Sequence, residues 1–237
     1  MKRAAVAVLC ILMLCLEGCW DLEEIENRAY VLGIAVDTYP PIPVGGENFE
    51  EEADLEEEAE LIHMEIHTDE PTYAMTIQIP IIKESRLLSL GEAGGGGSSQ
   101  KSRTWEITQV GNSMMEMSME MASRTNHTPY YRHLQVVIIS EDVARKGLNN
   151  IIDFFDRDYE MRKRVRLYIS KGEAKKVLDV VPRIEDFSSL YLAKLPMNAD
   201  VNPRIPRKSD LGHVLMKIHA DKDFVLPEVV AVKDEVK

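Results

Sequence analysis

Leu134-Gln135-Val136-Val137-Ile138-Ile139-Ser140-Glu141-Asp142-Val143-Ala144 is an apolar run that turns into a helix start at a single serine. A short, nearly continuous apolar stretch rich in β-branched residues is the pattern of a strand buried on both faces. Ser140 is a residue that caps a helix by accepting a hydrogen bond from the first turn. Glu141 and Asp142 then put negative charge where the helix dipole is positive. The helix runs through Ala144, and Gly147 breaks it. A buried strand feeding a capped helix is the unit from which α/β layer structures are built.

The same reading extends in both directions. Upstream, Ala29-Tyr30-Val31-Leu32-Gly33-Ile34-Ala35-Val36-Asp37 is a second buried-strand run, stopped by Pro40, Pro41, Pro43 and Gly45-Gly46. Downstream, Leu148 to Phe155 reads as a helix, Val165 to Ile169 as a strand, and Gly172 precedes a helix ending near Val181-Pro182. Ile184 to Leu195 and Leu211 to Ala220 read as further helices, and Phe224 to Ala231 as a strand. Leu61 to Ile82 reads as a hairpin, its first strand alternating strictly in Ile62-His63-Met64-Glu65-Ile66-His67 and its second running from Tyr73 to Ile79. Thr104 to Ser123 reads as a helix capped by Thr104. Ile107, Val110, Met114, Met117 and Met121 recur there at three- and four-residue steps. A methionine stripe serves either as core or as an adaptable binding surface, and core is the commoner use. The expected fold class is α/β (mixed α+β), a central mixed β-sheet flanked by helices over residues 29–200. At Asn202-Pro203-Arg204-Ile205-Pro206 a boundary is expected, with 201–237 the start of a truncated second domain, since about thirty residues cannot bury a core.

Two low-complexity segments interrupt this pattern. The carboxylate-dense stretch 47–60 has no basic residue and no D-x-D-x-D-G spacing. It reads as a solvated loop rather than a divalent-cation site. The Gly/Ser-rich stretch 91–101 reads as a flexible loop, because Lys101 stands apart from the glycines and no Gly-Lys-Ser/Thr opens a helix. His63 and His67 have a spacing that binds zinc on a helix, but on a strand they stand about 13 Å apart and cannot share a metal. No cofactor and no metal site is therefore expected.

The amino terminus sets the compartment. Lys2 and Arg3 precede an apolar stretch from Ala4 to Leu16 that is too short to cross a bilayer, and Leu16-Glu17-Gly18-Cys19 follows. Residues 1–18 read as a lipoprotein signal peptide, although Glu17 stands where such signals carry a small or hydroxylated residue. Cys19 is the expected acceptor of S-diacylglycerol and N-acyl chains, and residues 19–28 are the tether to the folded domain. Two or three acyl chains make a stable anchor at roughly 0.8 kcal/mol per buried CH₂. Cys10 and Cys15 leave with the signal, so no disulfide is expected. The formal net charge of −12 argues against nucleic acid as a partner and against broad electrostatic contact with anionic lipid.

Gly18-Cys19-Trp20-Asp21, Glu24-Ile25 and Val31-Leu32-Gly33-Ile34-Ala35-Val36-Asp37 together resemble the opening of the Ger(x)C family of spore germination lipoproteins. Gln78-Ile79-Pro80, Tyr131-Arg132-His133-Leu134-Gln135 through Glu141, Ala144 through Leu148, Asp153 through Asp158, Glu160-Met161-Arg162 and Ser170 through Ala174 continue the resemblance in order. The family comprises the C subunits of nutrient germinant receptors. The resemblance implies a non-enzymatic subunit, lipid-anchored on the outer face of the spore inner membrane beside integral membrane A and B subunits, acting by protein contact. It carries over no catalytic or germinant-binding residue. The motif residues Trp20, Asp21, His133, Gln135, Glu141, Gly147, Arg157, Arg162 and Gly172 are expected to be structural or to face a partner. For Arg157 and Arg162, an ion-pair cluster with Asp156, Asp158 and Glu160 and a partner-facing surface stay open as alternatives. The family's chains continue past position 237, which is why a missing C-terminal domain is expected.

Two other function classes fit less of the sequence. A solute-binding lipoprotein of a membrane transporter shares the anchor and the α/β pattern but needs two similar lobes around a cleft. An envelope hydrolase needs a Gly-x-Ser-x-Gly elbow or a His-Glu-x-x-His helix, and neither occurs.

Overall fold

A computed structural model describes residues 28–40, 72–81, 104–232 and 235–236, together with Arg3. The signal peptide, Cys19, Trp20, Asp21, the acidic and Gly/Ser-rich stretches, His63, His67 and the first strand of the expected hairpin lie outside the described residues. In chain order the elements are β1 (Arg28–Tyr30), β2 (Gly33–Thr38), β3 (Tyr73–Pro80), β4 (Thr104–Gly111), α1 (Met114–Arg124) and β5 (Thr128–Tyr130). A 3₁₀ turn at Tyr131–His133 leads into β6 (Val136–Ser140), α2 (Glu141–Lys146), α3 (Asn149–Arg157), β7 (Arg166–Ser170) and α4 (Ala174–Asp179). After these come α5 (Ser188–Lys194), a second 3₁₀ turn at Leu195–Asn198, α6 (Leu211–His219), β8 (Glu228–Val229), β9 (Ala231–Val232) and β10 (Glu235–Val236). Among the described residues no helix is long and apolar enough to cross a membrane.

The main sheet has six strands in the order β4-β3-β2-β6-β7-β8. The run β2-β6-β7-β8 is parallel, and β3 and β4 add to the other side antiparallel. The sheet is thus mixed, with helices on both faces, as the sequence pattern predicts. β6 shows why both faces must be covered. Val137 and Ile139 belong to one apolar cluster and Val136 and Ile138 to the other, and none of the four is exposed. The first face is the larger core: Ile34, Met75, Ile77 and Leu167 of the sheet meet Met117 and Met121 of α1, Ile151 and Phe155 of α3, and Leu211 and Val214 of α6. The second face is smaller, with Ala35, Val136, Ile138 and Tyr168 against Ala174, Val177 and Leu178 of α4 and Leu192 of α5. Ser140 caps α2 as expected, its hydroxyl accepting from Val143 N–H at 3.4 Å.

Three expectations are corrected. Thr104–Gly111 is a strand, not the first half of a helix, and it pairs residue for residue with β3 from Thr104↔Pro80 to Gly111↔Tyr73. Its Thr, Trp, Ile and Val content favours a pleated surface over a helix. The helical stripe belongs only to Met114, Met117 and Met121, which are buried, so the core use of the methionines is the one observed. The helix expected from Ile184 starts at Ser188, because residues 183–186 form bends and Ile184 is 80 % exposed.

The third correction concerns the boundary at residue 201. Leu211, Val214 and Leu215 lie in the main core, Leu211 N–H donates to Val165 C=O at 2.8 Å, and β8 extends the main sheet beside β7. Residues 209–229 thus complete the first unit instead of opening a second. Of the strand expected from Phe224 to Ala231, only Glu228–Val229 pairs in this sheet; Pro227 contributes its carbonyl, which accepts from Ile169 N–H at 3.0 Å.

One side chain ties the start of the chain to the second helical layer. Asp37, at the end of β2, is 8 % exposed and accepts from Ala174 N–H at 2.6 Å and Lys175 N–H at 3.0 Å, so it caps α4 from 137 residues away. Burial outweighs these two donated hydrogen bonds and pushes the Asp37 carboxyl from 3.8 up to about 6. The folded state therefore binds a proton that the unfolded chain releases, and the Asp37 contribution to stability falls as pH rises from about 3.8 to about 6. Asp37→Asn is expected to remove that slope from denaturant-unfolding midpoints measured across this range. Asp37→Ala, which leaves both N–H groups uncapped, is expected to cost about 0.5–2 kcal/mol. Unchanged midpoints in Asp37→Ala would rule out the cap.

Candidate functional site

β3 brings a buried amide to a place where four elements meet. Gln78 is 1 % exposed. Its Nε2, with two hydrogens to donate, has three acceptors at 3.0 Å: Glu106 Oε1 of β4, the Leu178 carbonyl of α4 and Ser188 Oγ of α5. Its Oε1 accepts from Ser189 Oγ at 2.7 Å. Ser188 Oγ donates to the same Leu178 carbonyl at 2.6 Å. Beside it, Thr76 and Thr108 hydroxyls pair across β3 and β4 at 2.9 Å. The donors and acceptors of this amide are fully engaged by the protein, so the arrangement acts as a joint between the antiparallel edge of the sheet and the second helical layer.

The joint borders a cleft of about 250 Å³ whose lining includes Gln78, Thr104, Asp179, Arg183, Glu185 and Asp186. Glu106 of β4 has the Asp179 carboxyl as an electrostatic neighbour there. Burial first, and then that neighbour, push the Glu106 carboxyl from 4.5 up to about 8. Neither Glu106 nor Asp179 stands out in the sequence. Each is a single carboxylate in an otherwise unremarkable context, and only the fold brings them together. Gln78 is visible in the sequence as part of Gln78-Ile79-Pro80, but nothing local reveals its partners.

The motif around His133 builds a second junction. Its ring is exposed and meets the Tyr30 ring edge-on with centroids 5.0 Å apart, and Tyr130 lies 5.9 Å away. Arg28 stacks 4.1 Å over the Tyr130 ring and lies 4.0 Å from Glu160, as the β1–β5 pair aligns Arg28 with Thr128. The tether expected to reach residue 28 thus ends inside β1. Gln135 works through its backbone and its amide: its N–H donates to Leu32 C=O at 2.9 Å, its C=O accepts from Arg166 N–H at 2.9 Å, and its Nε2 donates to His133 C=O at 2.8 Å. It thereby locks the β1–β2 connection to β6 and β7.

The remaining predicted residues are distributed over the surface and the turns. Glu141 pairs with Arg145 one turn along α2, with Arg145 Nε at 3.1 Å. Gly147 and Gly172 have φ of +117° and +91°, backbone that glycine adopts without a Cβ clash; they end α2 and precede α4. Arg157 pairs with Asp153 of its own helix at 2.8 Å. Asp156 instead takes Lys163 at 2.7 Å, and that contact holds its carboxyl below the usual range. Arg162 is half-buried and its carbonyl accepts from Val165 N–H at 3.1 Å. Among the described residues the ion pairs here include Arg157–Asp153, Lys163–Asp156 and Arg28–Glu160, and the sequence reading had not proposed Asp153, Lys163 or Arg28 as ion-pair partners.

Comparison with known proteins adds a family. The model of the spore germination protein N-terminal domain matches residues 21–231. The chain is 29 % identical over 234 residues to spore germination protein YndF of Bacillus subtilis (strain 168), covering 98 % of this chain and 54 % of that protein. It is 25 % identical over 206 residues to putative spore germination protein YfkR of the same organism, covering 86 % of this chain and 45 % of the relative. It is also 25 % identical over 229 residues to spore germination protein A3, covering 94 % and 51 %. The chain thus spans about half the length of the curated relatives it matches. No solved structure matches it.

If Gln78 is the joint described, Gln78→Leu leaves the Leu178 carbonyl and the Ser189 hydroxyl without this partner in a buried place. A loss of about 1–3 kcal/mol in urea unfolding is expected. Gln135→Ala keeps the backbone bonds and is expected to cost less than about 1 kcal/mol. Equal losses would show that the amide of Gln78 has no special place.

Proposed function

The chain belongs to the family of the spore germination protein N-terminal domain, and from that premise we propose that it is a lipid-anchored subunit of a spore germinant receptor, acting by protein contact. The observation that carries this reading is the family match over residues 21–231, lying directly behind the signal Leu16-Glu17-Gly18-Cys19. In this reading residues 1–18 are removed, Cys19 carries the acyl chains, and the short tether holds the domain close to the outer face of the spore inner membrane. Integral membrane A and B subunits are the partners. The net charge of −12 supports attachment through acyl chains and not through a basic surface.

The site geometry supports a contact role over a chemical one. Gln78 and Gln135 are engaged in joints between elements, Gly147 and Gly172 shape turns, and Glu141 and Arg157 pair within their own helices. Tyr30, Tyr130, His133 and Arg28 form an aromatic and cationic corner at β1, the first described strand after Cys19 in the sequence. That corner is the surface we assign to the membrane-embedded partners.

Fractionation tests the anchor. Cys19→Ala is expected to move the protein from the membrane fraction to the soluble fraction of disrupted spores, and intact mass of the wild type is expected to show acylated Cys19 as the first residue. A wild-type protein with an unmodified Cys19 would remove the anchor. Deleting the gene in a strain with no other nutrient receptor is expected to abolish nutrient germination; an unchanged response would overturn the receptor role.

A further inference from the structure

The tether limits how far the folded domain can stand from the membrane. From Cys19 to Arg28 the chain reaches at most about 30 Å, at about 3.3–3.6 Å per residue when fully extended. Arg28 lies at one particular end of the sheet. Gln135 N–H donates to the Leu32 carbonyl and its own carbonyl accepts from Arg166 N–H, each at 2.9 Å. β2, β6 and β7 therefore begin side by side at this end, and β1, the His133 turn and the loop 158–165 lead into them. Arg28 meets that loop directly, 4.0 Å from Glu160.

The charge of this end differs from that of the whole chain. Nine carboxylates stand in residues 47–60 with no basic residue among them. The connection that carries them leaves the sheet after Thr38 and re-enters it at Tyr73, and these two residues pair at the opposite end of β2. At the Arg28 end the carboxylates are engaged. Glu160 faces Arg28, Asp158 Oδ1 accepts from Glu160 N–H at 2.8 Å, and Asp156 holds Lys163 at 2.7 Å. Arg157 and Arg166 are matched by Asp153 and Asp210. Arg132, Arg162 and Arg164 have no salt bridge among the described residues, and Arg132 and Arg164 are exposed. In the same loop the Tyr159 side chain is 87 % exposed.

We propose that the loop 158–165, together with Arg132, is the lipid-facing surface of the domain: its arginines meet anionic headgroups and Tyr159 sits at headgroup level. This rests on the reading of Cys19 as the lipid anchor. The planar guanidinium pairs with phosphate oxygens two at a time, and a tyrosine, apolar in its ring and polar at its tip, favours the membrane–water interface. The surface does not supply the attachment, since a chain of net charge −12 is not recruited by three arginines. The acyl chains already hold the domain at the bilayer, so the loop meets headgroups at high effective concentration and has only to select an orientation. In that orientation the β1 corner, which Arg132 joins by lying 5.8 Å over the Tyr130 ring, also stands at membrane level.

Flotation followed by lysine labelling tests this on the acylated full chain from the membrane fraction. The chain is incorporated into vesicles of phosphatidylcholine alone, or of phosphatidylcholine mixed with phosphatidylglycerol. A membrane-impermeant amine reagent is applied, and mass spectrometry reads each lysine. One basic residue at an anionic surface shifts the equilibrium about fivefold, so Lys163 is expected to label at least about fivefold less in the phosphatidylglycerol vesicles. Lys146, at the end of α2, and Lys171, directly after β7, are expected to label equally in both. Arg132→Glu combined with Arg164→Glu changes two exposed side chains and is expected to return Lys163 to its phosphatidylcholine level. Equal labelling of Lys163 in the two vesicles overturns the lipid-facing loop and leaves that surface to a protein partner. A drop that persists undiminished in the double variant overturns it as well. Flotation with phosphatidylcholine vesicles needs only the acyl chains. A chain that fails to float therefore removes the anchor, and this proposal with it, whereas a chain that floats and labels evenly overturns the loop alone.

Discussion

The strands β2 and β6 are buried on both faces, and the rest of the structure follows from having to cover them. Alternate residues of β6 enter two separate apolar clusters, so a single layer of helices cannot stabilise this sheet. The larger cluster is an ordinary core, in which Phe155, Met117, Ile151 and other fully buried side chains pack against each other. Among the described residues the smaller one is closed mainly by the short helices α4 and α5. Short helices are weak on their own, since few of their hydrogen bonds offset the cost of fixing the backbone. That second layer is therefore pinned by polar side chains from the sheet: Asp37 at the start of α4, Gln78 at its end and at the start of α5, and Tyr168 donating to the Leu192 carbonyl at 2.8 Å.

This division accounts for what could be read from the sequence. The parallel centre was legible because burial on both faces writes itself into consecutive residues, as in Val136-Val137-Ile138-Ile139. The helices α2, α3 and α6 were legible from caps, glycine stops and apolar spacing. Thr104–Gly111 was misread because Ile107 and Val110 extend the spacing of the methionines. Periodicity over a few residues does not separate a strand from a helix when the following element is truly helical. Gly111-Asn112-Ser113 was the available break, and β-branched content the available correction. The boundary at residue 201 was misplaced because proline-rich connections mark loops as well as domain edges. What makes 209–229 part of the first unit is a set of contacts with Val165, Leu167 and Ile169 that no local pattern encodes.

The candidate site was less legible than the fold for a related reason. Asp37 and Gln78 lay inside stretches that were recognised, yet their roles depend on partners 137 and 110 residues away. Glu106 and Asp179 carried no signal at all. A buried or half-buried carboxyl is identified by its surroundings, and surroundings are made by the fold. Arg157 and Arg162 show the reverse: their sequence context left an ion-pair cluster and a partner-facing surface open, and in the fold Arg157 pairs with Asp153 of its own helix while the Arg162 carbonyl accepts from Val165 N–H.

These placements show what some of the family's motif residues do in the fold. Gln78 directs its amide inward, to a carbonyl and hydroxyls of neighbouring elements, and the Gln135 amide bonds to the His133 carbonyl two residues away. The motifs thus specify a domain of defined shape, with a firm centre and a second layer held by a few polar contacts. For a subunit proposed to work by contact, a defined shape is the property that matters. The β1 corner owes its shape to β1, β5 and the His133 turn, and Gln135 ties it to β6 and β7. That corner and the second helical layer are joined through the same doubly buried strands.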